Sequence, residues 1–246
     1  MKLLVCISKA PDTTSKISFT DGDTKFDENG VQYIVNPYDE WYALVRALEL
    51  TEANGGTVTT ITVGTAADDP TIRKALAIGA TDAVRVDAEA KDPYFVAKQI
   101  AAYAKANSFD IVLTGKETIN YNGAQIGSMV AEMLDQPFVS LAQKLEVSGN
   151  TATLERDVPG GAEVVEVNTP FVLSAAKGMA EQRIPNMRGI MAARTKALNV
   201  IPAVETAELT SIVSYNMPPA KSECKYIDAD SMTELVELLH NEAKVI

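Results

Sequence analysis

The sequence predicts an α/β fold: a mostly parallel sheet with helices on both faces, an added antiparallel hairpin region and a C-terminal arm. Three observations carry this. Over residues 3–134, short apolar or β-branched runs alternate with stretches whose apolar residues recur at helical spacing. Over residues 144–167 the pattern changes to two-residue alternation, broken by Gly149-Asn150 and by Pro159-Gly160-Gly161, which are turn signals between antiparallel strands. After Ile201-Pro202 apolar residues thin out, and Pro218-Pro219 marks an extended break. The expected organisation is a main domain over 1–200 and an arm over 201–246 with too little apolar mass for a core of its own.

Residues 3–7, LLVCI, form a continuous apolar run of buried-strand type. Residues 10–34 are polar, with Gly22 and Gly30, and predict a long loop or hairpin. Asn36-Pro37-Tyr38-Asp39 opens a helix whose inner stripe is Trp41, Leu44, Val45, Leu48 and Leu50, and Gly55-Gly56 ends it. Residues 57–63, TVTTITV, make a strand by β-branching. Asp69 as cap and Pro70 as first helical residue start a second helix, with Ile72, Ala75 and Leu76 inward and Gly79 at its end. Residues 83–86 are a short strand, and Asp92-Pro93 repeats the cap-then-proline device on a helix running to about Asn107. A strand over 110–115 and a helix from about Gly123 to Leu134 complete the alternation.

Residues 170–176, PFVLSAA, predict another buried strand, 177–187 an irregular basic loop, and 189–197 a short helix. Ser231 with Glu234 three residues later reads as a capping box on a last helix, with Met232, Leu235, Leu238 and Leu239 inward. Parallel strands joined by right-handed helical crossovers make the fold Rossmann-like. Ligands of such sheets bind beyond the carboxyl ends of the strands, here residues 8–12, 63–67 and 114–125.

Composition narrows the function classes. The 246 residues are 46% hydrophobic and 22% charged, which is ordinary for a globular chain and excludes wholesale disorder. No apolar run approaches the roughly 20 residues of a membrane span. The apolar start, residues 1–7, is too short for a secretion signal, so a cytoplasmic location is expected. The net charge of −11 argues against nucleic acid or membrane insertion. Residues 177–196 nonetheless carry five basic groups and one acid, which suits an acidic partner as well as it suits a solvated face.

Two distant cysteines, Cys6 and Cys224, support neither a disulfide framework nor a metal site, and Cys6 lies in an apolar strand as a core residue. His240 is the sole histidine, so multi-histidine metal sites are excluded and any histidine-based triad has one candidate base. Near the end of the last helix, its charge suits the dipole there, and no residue is assigned a catalytic or metal-binding role.

Two common phosphate signatures are absent. There is no G-x-G-x-x-G, and in Gly115-Lys116-Glu117 an acid stands where a P-loop needs Ser or Thr. What remains is Asn120, Tyr121, Asn122, Gly123, Ala124, Gln125, Ile126 and Gly127 at a strand end running into a helix. Helix N-terminal amides there can hold a phosphate, and an ordinary Asn/Gly turn explains the same residues.

Several segments in fixed order resemble the beta, or small, subunit of electron-transfer flavoprotein, over essentially the whole chain. They are Lys9-Ala10-Pro11-Asp12; Asn36-Pro37-Tyr38-Asp39-Glu40; Arg73-Lys74-Ala75-Leu76-Ala77-Ile78-Gly79-Ala80; and Leu113-Thr114-Gly115-Lys116 followed by Gln125-Ile126-Gly127. Further along come Arg156, Gly160-Gly161-Ala162-Glu163, Pro170-Phe171-Val172-Leu173 and Ile190-Met191-Ala192-Ala193-Arg194.

The resemblance implies a heterodimeric electron carrier, not an enzyme. An alpha subunit holds most of a shared FAD, and the beta subunit buries AMP, or a second FAD in electron-bifurcating branches. Electrons come from dehydrogenases, often the acyl-CoA dehydrogenases of fatty acid oxidation, and pass to a quinone reductase. Carried over by position, the nucleotide site comprises Cys6, Asn36, Val63, Asn120, Asn122 and Gln125, with Gly123, Ala124, Ile126 and Gly127 giving amides around the phosphate. A docking loop falls on 177–185, with Met179 as its apolar anchor and Glu181 and Arg183 beside it. The 201–246 arm then packs on the alpha subunit.

The sequence departs from the family where AMP-binding members carry Asn-Gln-Thr: here Ala124-Gln125-Ile126 lacks the hydroxyl, as in some bifurcating members. Pro159 replaces an acid before Gly160-Gly161. The alternative is a homo-oligomeric adenine-nucleotide-binding regulatory protein.

Overall fold

A computed structural model describes every residue except Ser222. The strands are β1 Lys2–Cys6, β2 Lys9–Pro11, β3 Phe19–Thr20, β4 Lys25–Phe26, β5 Tyr33–Val35, β6 Thr57–Gly64, β7 Asp82–Asp87, β8 Ile111–Gly115, β9 Phe138–Ser148, β10 Thr151–Val158, β11 Gly161–Asn168, β12 Phe171–Ala175 and β13 Leu198–Pro202. The α-helices are α1 Asp39–Asn54, α2 Asp69–Ile78, α3 Pro93–Asn107, α4 Ile126–Leu134, α5 Met187–Ala193 and α6 Met232–Glu237.

Nine strands form one sheet in the order β11-β10-β9-β12-β8-β1-β6-β7-β13. Every pairing from β9 across to β13 is parallel, and only β9-β10 and β10-β11 are antiparallel. The chain moves outward from β1 to β6 and β7, then returns to place β8 on the other side of β1. That reversal opens a crevice between the carboxyl ends of β1 and β8.

The period-2 geometry of β1 divides the core. Leu3, Val5 and Ile7 join the cluster under α1 and α2, whereas Leu4 and Cys6 join the cluster under α3 and α4. Each fully buried large side chain, such as Leu3, Leu4 or Phe171, contributes about 1.5–3 kcal/mol. The helices α1 and α3 start and stop where the sequence places them, and Asp92 Oδ1 accepts from the Phe95 amide at 2.6 Å.

Four local expectations are corrected. Helix α4 begins at Ile126, not near Gly123, because Asn122 and Ala124 take left-handed φ values of 49° and 51° that no helix accommodates. Asp69 does not cap α2. A 3₁₀ turn, Ala66–Asp68, precedes the helix with Thr65 and Asp68 closing its capping box, and the Asp69 carboxylate pairs with buried Arg85 at 2.8 Å. The Ser231 side chain makes no cap bond, and Met232 is exposed while Leu235, Leu238 and Leu239 are only half-buried. Residues 198–202, unassigned in the sequence, form edge strand β13 beside β7.

The segment after β13 runs extended over its own domain. Gln99 exchanges two hydrogen bonds with the Val204 backbone at 2.9 and 2.7 Å, Asp92 Oδ2 accepts from the Leu209 and Thr210 amides, and Tyr215 stacks on Phe19 with ring centres 4.6 Å apart. Among the described residues, no helix is long and apolar enough to cross a membrane.

Candidate functional site

At the mouth of the β1-β8 crevice three segments meet: the residues after β1, the turn into α1, and the loop 116–125 between β8 and α4. Gly115 makes this possible. A Cβ there would lie 2.9 Å from Glu40 Cγ and 3.0 Å from its amide, so only glycine lets the end of β8 abut the start of α1. Gly127 does the same for α4: its Cβ would meet Thr114 Oγ1 at 2.7 Å and the Phe138 ring at 2.9 Å. Tyr38, entering α1, holds φ 66° and ψ −104°, a costly conformation for a bulky residue and one that clusters at functional sites.

Asn36 is fully buried at the centre of this junction. Its Nδ2 donates to Ser8 Oγ at 3.1 Å and to Asn120 Oδ1 at 3.3 Å, and its Oδ1 accepts from the Ile119 amide at 3.1 Å. Its own amide donates to the Ser8 carbonyl at 2.9 Å. Ser8 in turn donates twice to Glu40, from its amide at 2.6 Å and from Oγ at 2.8 Å. Every polar hydrogen in this buried chain has an acceptor, as buried polar groups require.

Glu40 is 6% exposed. Burial pushes its carboxyl up to about 8, against the lowering effect of the two Ser8 bonds and with a further rise from Asp39. Burial, and secondarily the Glu40 charge, raises the Cys6 thiol far above its ordinary range, so Cys6 stays a neutral core group and is no nucleophile. Asp39 is also raised by burial, with Lys116 and the Glu117 amide opposing.

Beside the junction lies a cleft of about 280 Å³ bordered by Tyr38, Asp39, Lys116, Glu117, Asn122 and Lys177. Lys116 and Glu117, neighbours on its border, pair at 2.9 Å. The cleft thus offers cations, acids, an aromatic ring and loop amides around one small space.

Most of the residues assigned to the nucleotide site come together here. Asn36 and Asn120 bond directly, Asn122 borders the cleft, and Gly123, Ala124 and Gln125 are exposed on the same loop. Ile126 and Gly127 begin α4. Cys6 and Val63 stand at the ends of β1 and β6, the first buried and the second half-buried.

The 177–185 loop is arranged differently from expectation. Met179 is 4% exposed and belongs to the main core cluster, because its apolar side chain finds room under the loop. The apolar side chains this region exposes are Ile184 and Met187. Arg183 ties the loop down with a two-pronged pair to Glu52 at 2.6 and 3.0 Å, while its carbonyl accepts from Trp41 Nε1 at 3.2 Å. Glu181 is exposed.

Sequence reasoning missed Ser8, Glu40 and Ile119 as site residues. Glu40 reads in sequence as an ordinary acid in a helix first turn, where it complements the dipole. Only the approach of β8 reveals that it is sealed from water.

Comparison with known proteins gives a consistent result. A sequence model of the family described as Electron transfer flavoprotein domain matches residues 23–206. The chain is 36% identical over 261 residues to Electron transfer flavoprotein subunit beta of Bacillus subtilis (strain 168), covering all of both chains. It is 34% identical over 252 residues to the protein of that name from Syntrophomonas wolfei, covering 100% of this chain and 98% of the relative. To the Bos taurus protein it is 30% identical over 232 residues, covering 90% and 91%.

Proposed function

The chain belongs to the electron transfer flavoprotein family, in which it matches the beta subunit, and on that premise we propose that it is the small subunit of a heterodimeric electron carrier. An alpha subunit is its constitutive partner, and a FAD shared with that subunit carries the electrons. This chain performs no bond-making step. It shapes one wall of the flavin site, holds a structural adenine nucleotide, and presents the surface on which dehydrogenases and a quinone reductase dock. Its place is the cytoplasm.

The observation that carries this reading is similarity running the full length of both chains, arm included. The crevice chemistry supports the nucleotide assignment. Buried Asn36 braces the start of loop 116–125 at the sheet's switch point, and the α4 N-terminus with its preceding loop offers N–H groups suited to a phosphate. AMP is the proposed occupant. A second FAD is the competing one, favoured by Ala124-Gln125-Ile126, where a side-chain hydroxyl is lacking beside the phosphate position. Full-length family membership favours both over a homo-oligomeric regulator.

The partner-docking role stays with the 177–185 loop. Glu181 and the basic groups that follow supply its charge, while Met179 supports the loop from beneath. Residues 201–246 form the arm that packs on the alpha subunit.

The test of the nucleotide assignment is Gln125→Ala and Asn36→Ala, each purified with the alpha subunit and assayed for released AMP by mass spectrometry. We expect at least half of the bound nucleotide to be lost with the FAD-to-protein ratio unchanged. Full AMP retention in both variants would remove the assignment.

A further inference from the structure

The Glu40-Ser8-Asn36-Ile119 chain has a direction, and the direction depends on a charge. With Glu40 ionised, Ser8 Oγ–H donates to it at 2.8 Å, Asn36 Nδ2 donates to Ser8 Oγ at 3.1 Å, and the Ile119 amide donates to Asn36 Oδ1 at 3.1 Å. The Asn36 amide orientation is thereby fixed, and with it the start of loop 116–125. With Glu40 protonated, the hydrogens of Glu40, Ser8 and Asn36 all converge on Ser8 Oγ, which has two lone pairs. One polar hydrogen is then left without an acceptor in a buried site, which costs about 1–3 kcal/mol.

We propose that Glu40 is a positioning residue for the nucleotide site, whose ionised form locks loop 116–125 through Ser8 and Asn36, so that nucleotide binding and release of one proton from Glu40 are coupled. The proposal rests on the nucleotide assignment above.

The surroundings suit such a switch. Burial favours the neutral acid while the two Ser8 bonds favour the ion, and the balance brings Glu40 to about 8, where both forms are populated near neutral pH. The titratable and charged groups around it are Cys6 on β1, Asp39 on its own helix, and Lys116, Glu117 and Lys177 around the adjoining cleft. Cys6 is held as a thiol, and Lys116 is engaged by Glu117 and Asp39. Among the described residues no Lys or Arg pairs with Glu40. Its charge is therefore compensated by the Ser8 hydrogen bonds alone.

The test compares the full chain, purified with its alpha subunit, as wild type, Glu40→Gln and Ser8→Ala. Each is stripped of nucleotide and titrated with AMP by calorimetry at pH 7, 8 and 9. Protection of the Ile119 amide against hydrogen exchange is measured without nucleotide at the same pH values. The AMP phosphate, with a second ionisation near about 6, is largely ionised throughout. Comparison with the variants subtracts what remains of it, together with any contribution of Asp39, Lys116 or Lys177.

For the wild type we expect affinity to rise about tenfold from pH 7 to pH 9, following the ionised fraction of Glu40, with Ile119 protection rising in parallel. Glu40→Gln keeps the low affinity at every pH. Ser8→Ala, which leaves the carboxyl in place, loses the pH dependence as well. A rise of equal size in wild type and Glu40→Gln, or Ile119 protection indifferent to Glu40, would overturn the coupling. If AMP binds at no pH while Ile119 protection still follows Glu40, the nucleotide assignment falls instead and takes the ligand of this proposal with it.

Discussion

Glu40 makes the stability of this fold pH-dependent in a defined direction. Its folded-state value, about 8, lies above the usual carboxyl value of 4.5. Between those limits the folded chain binds a proton that the unfolded chain does not, so the contribution is complete at low pH and is lost as pH rises towards 8. Denaturant midpoints measured from pH 5 to 8.5 should fall through this window in the wild type and flatten in Glu40→Gln. Met179 and Gly127 separate packing from contact. Met179→Ala should lower stability by about 2–5 kcal/mol, as deletion of a core side chain does, whereas loss of a docking contact leaves the melting temperature unchanged. Gly127→Ala forces a methyl group against Thr114 and Phe138 and should cost about 1–3 kcal/mol, read as a drop in melting temperature.

Helix ends in this fold are tied by long cations from elsewhere in the chain. Lys196 Nζ donates to the carbonyls of Leu76, Gly79 and Ala80 at the end of α2, at 3.0, 3.3 and 2.5 Å, and burial lowers its pKa. Arg73, on the same helix, donates back to the Ala193 and Lys196 carbonyls at 2.8 and 2.6 Å. The two locks join α2 to α5 and to the start of β13. Replacing Lys196 by Met leaves three carbonyls short of a donor and should cost about 1–3 kcal/mol in chemical unfolding. Asp92 plays a double part at the other end of the sheet. Burial alone would raise its carboxyl, but amide donors from Phe95, Thr210 and Leu209 outweigh that and hold it below the usual carboxylate range. Asp92→Ala therefore removes a helix cap and an arm tether together. Limited proteolysis should cut the variant between residues 203 and 215 several times faster than the wild type.

At the scale of the whole molecule, the exposed surface is 14266 Å², against roughly 10,600 Å² for a compact chain of this mass. Large apolar side chains stand open after β13, where Val213 and Tyr226 are 83% and 91% exposed, and on β11, where Val164 is 63% exposed. Exposed large apolar side chains of this kind are a feature of surfaces that meet other molecules. The alternating sheet, the ends of α1 and α3, and the hairpin region were legible in sequence because caps, glycines and periodicity are local signals. So was the gathering of Asn36, Asn120 and Asn122 at one strand-end junction, through motif order. Three features were not. The Met179 side chain, the burial of Glu40 and the strand character of 198–202 depend on which elements pass close by, and no local pattern reports that.

The central claim is that this chain is half of a flavin-based carrier with a nucleotide of its own. The direct measurement is mass spectrometry and flavin absorbance of everything released from the chain co-purified with its alpha subunit. The expected result is a one-to-one heterodimer releasing one FAD and one AMP. A chain that captures no alpha subunit, carries no flavin and releases only ATP or ADP would contradict it.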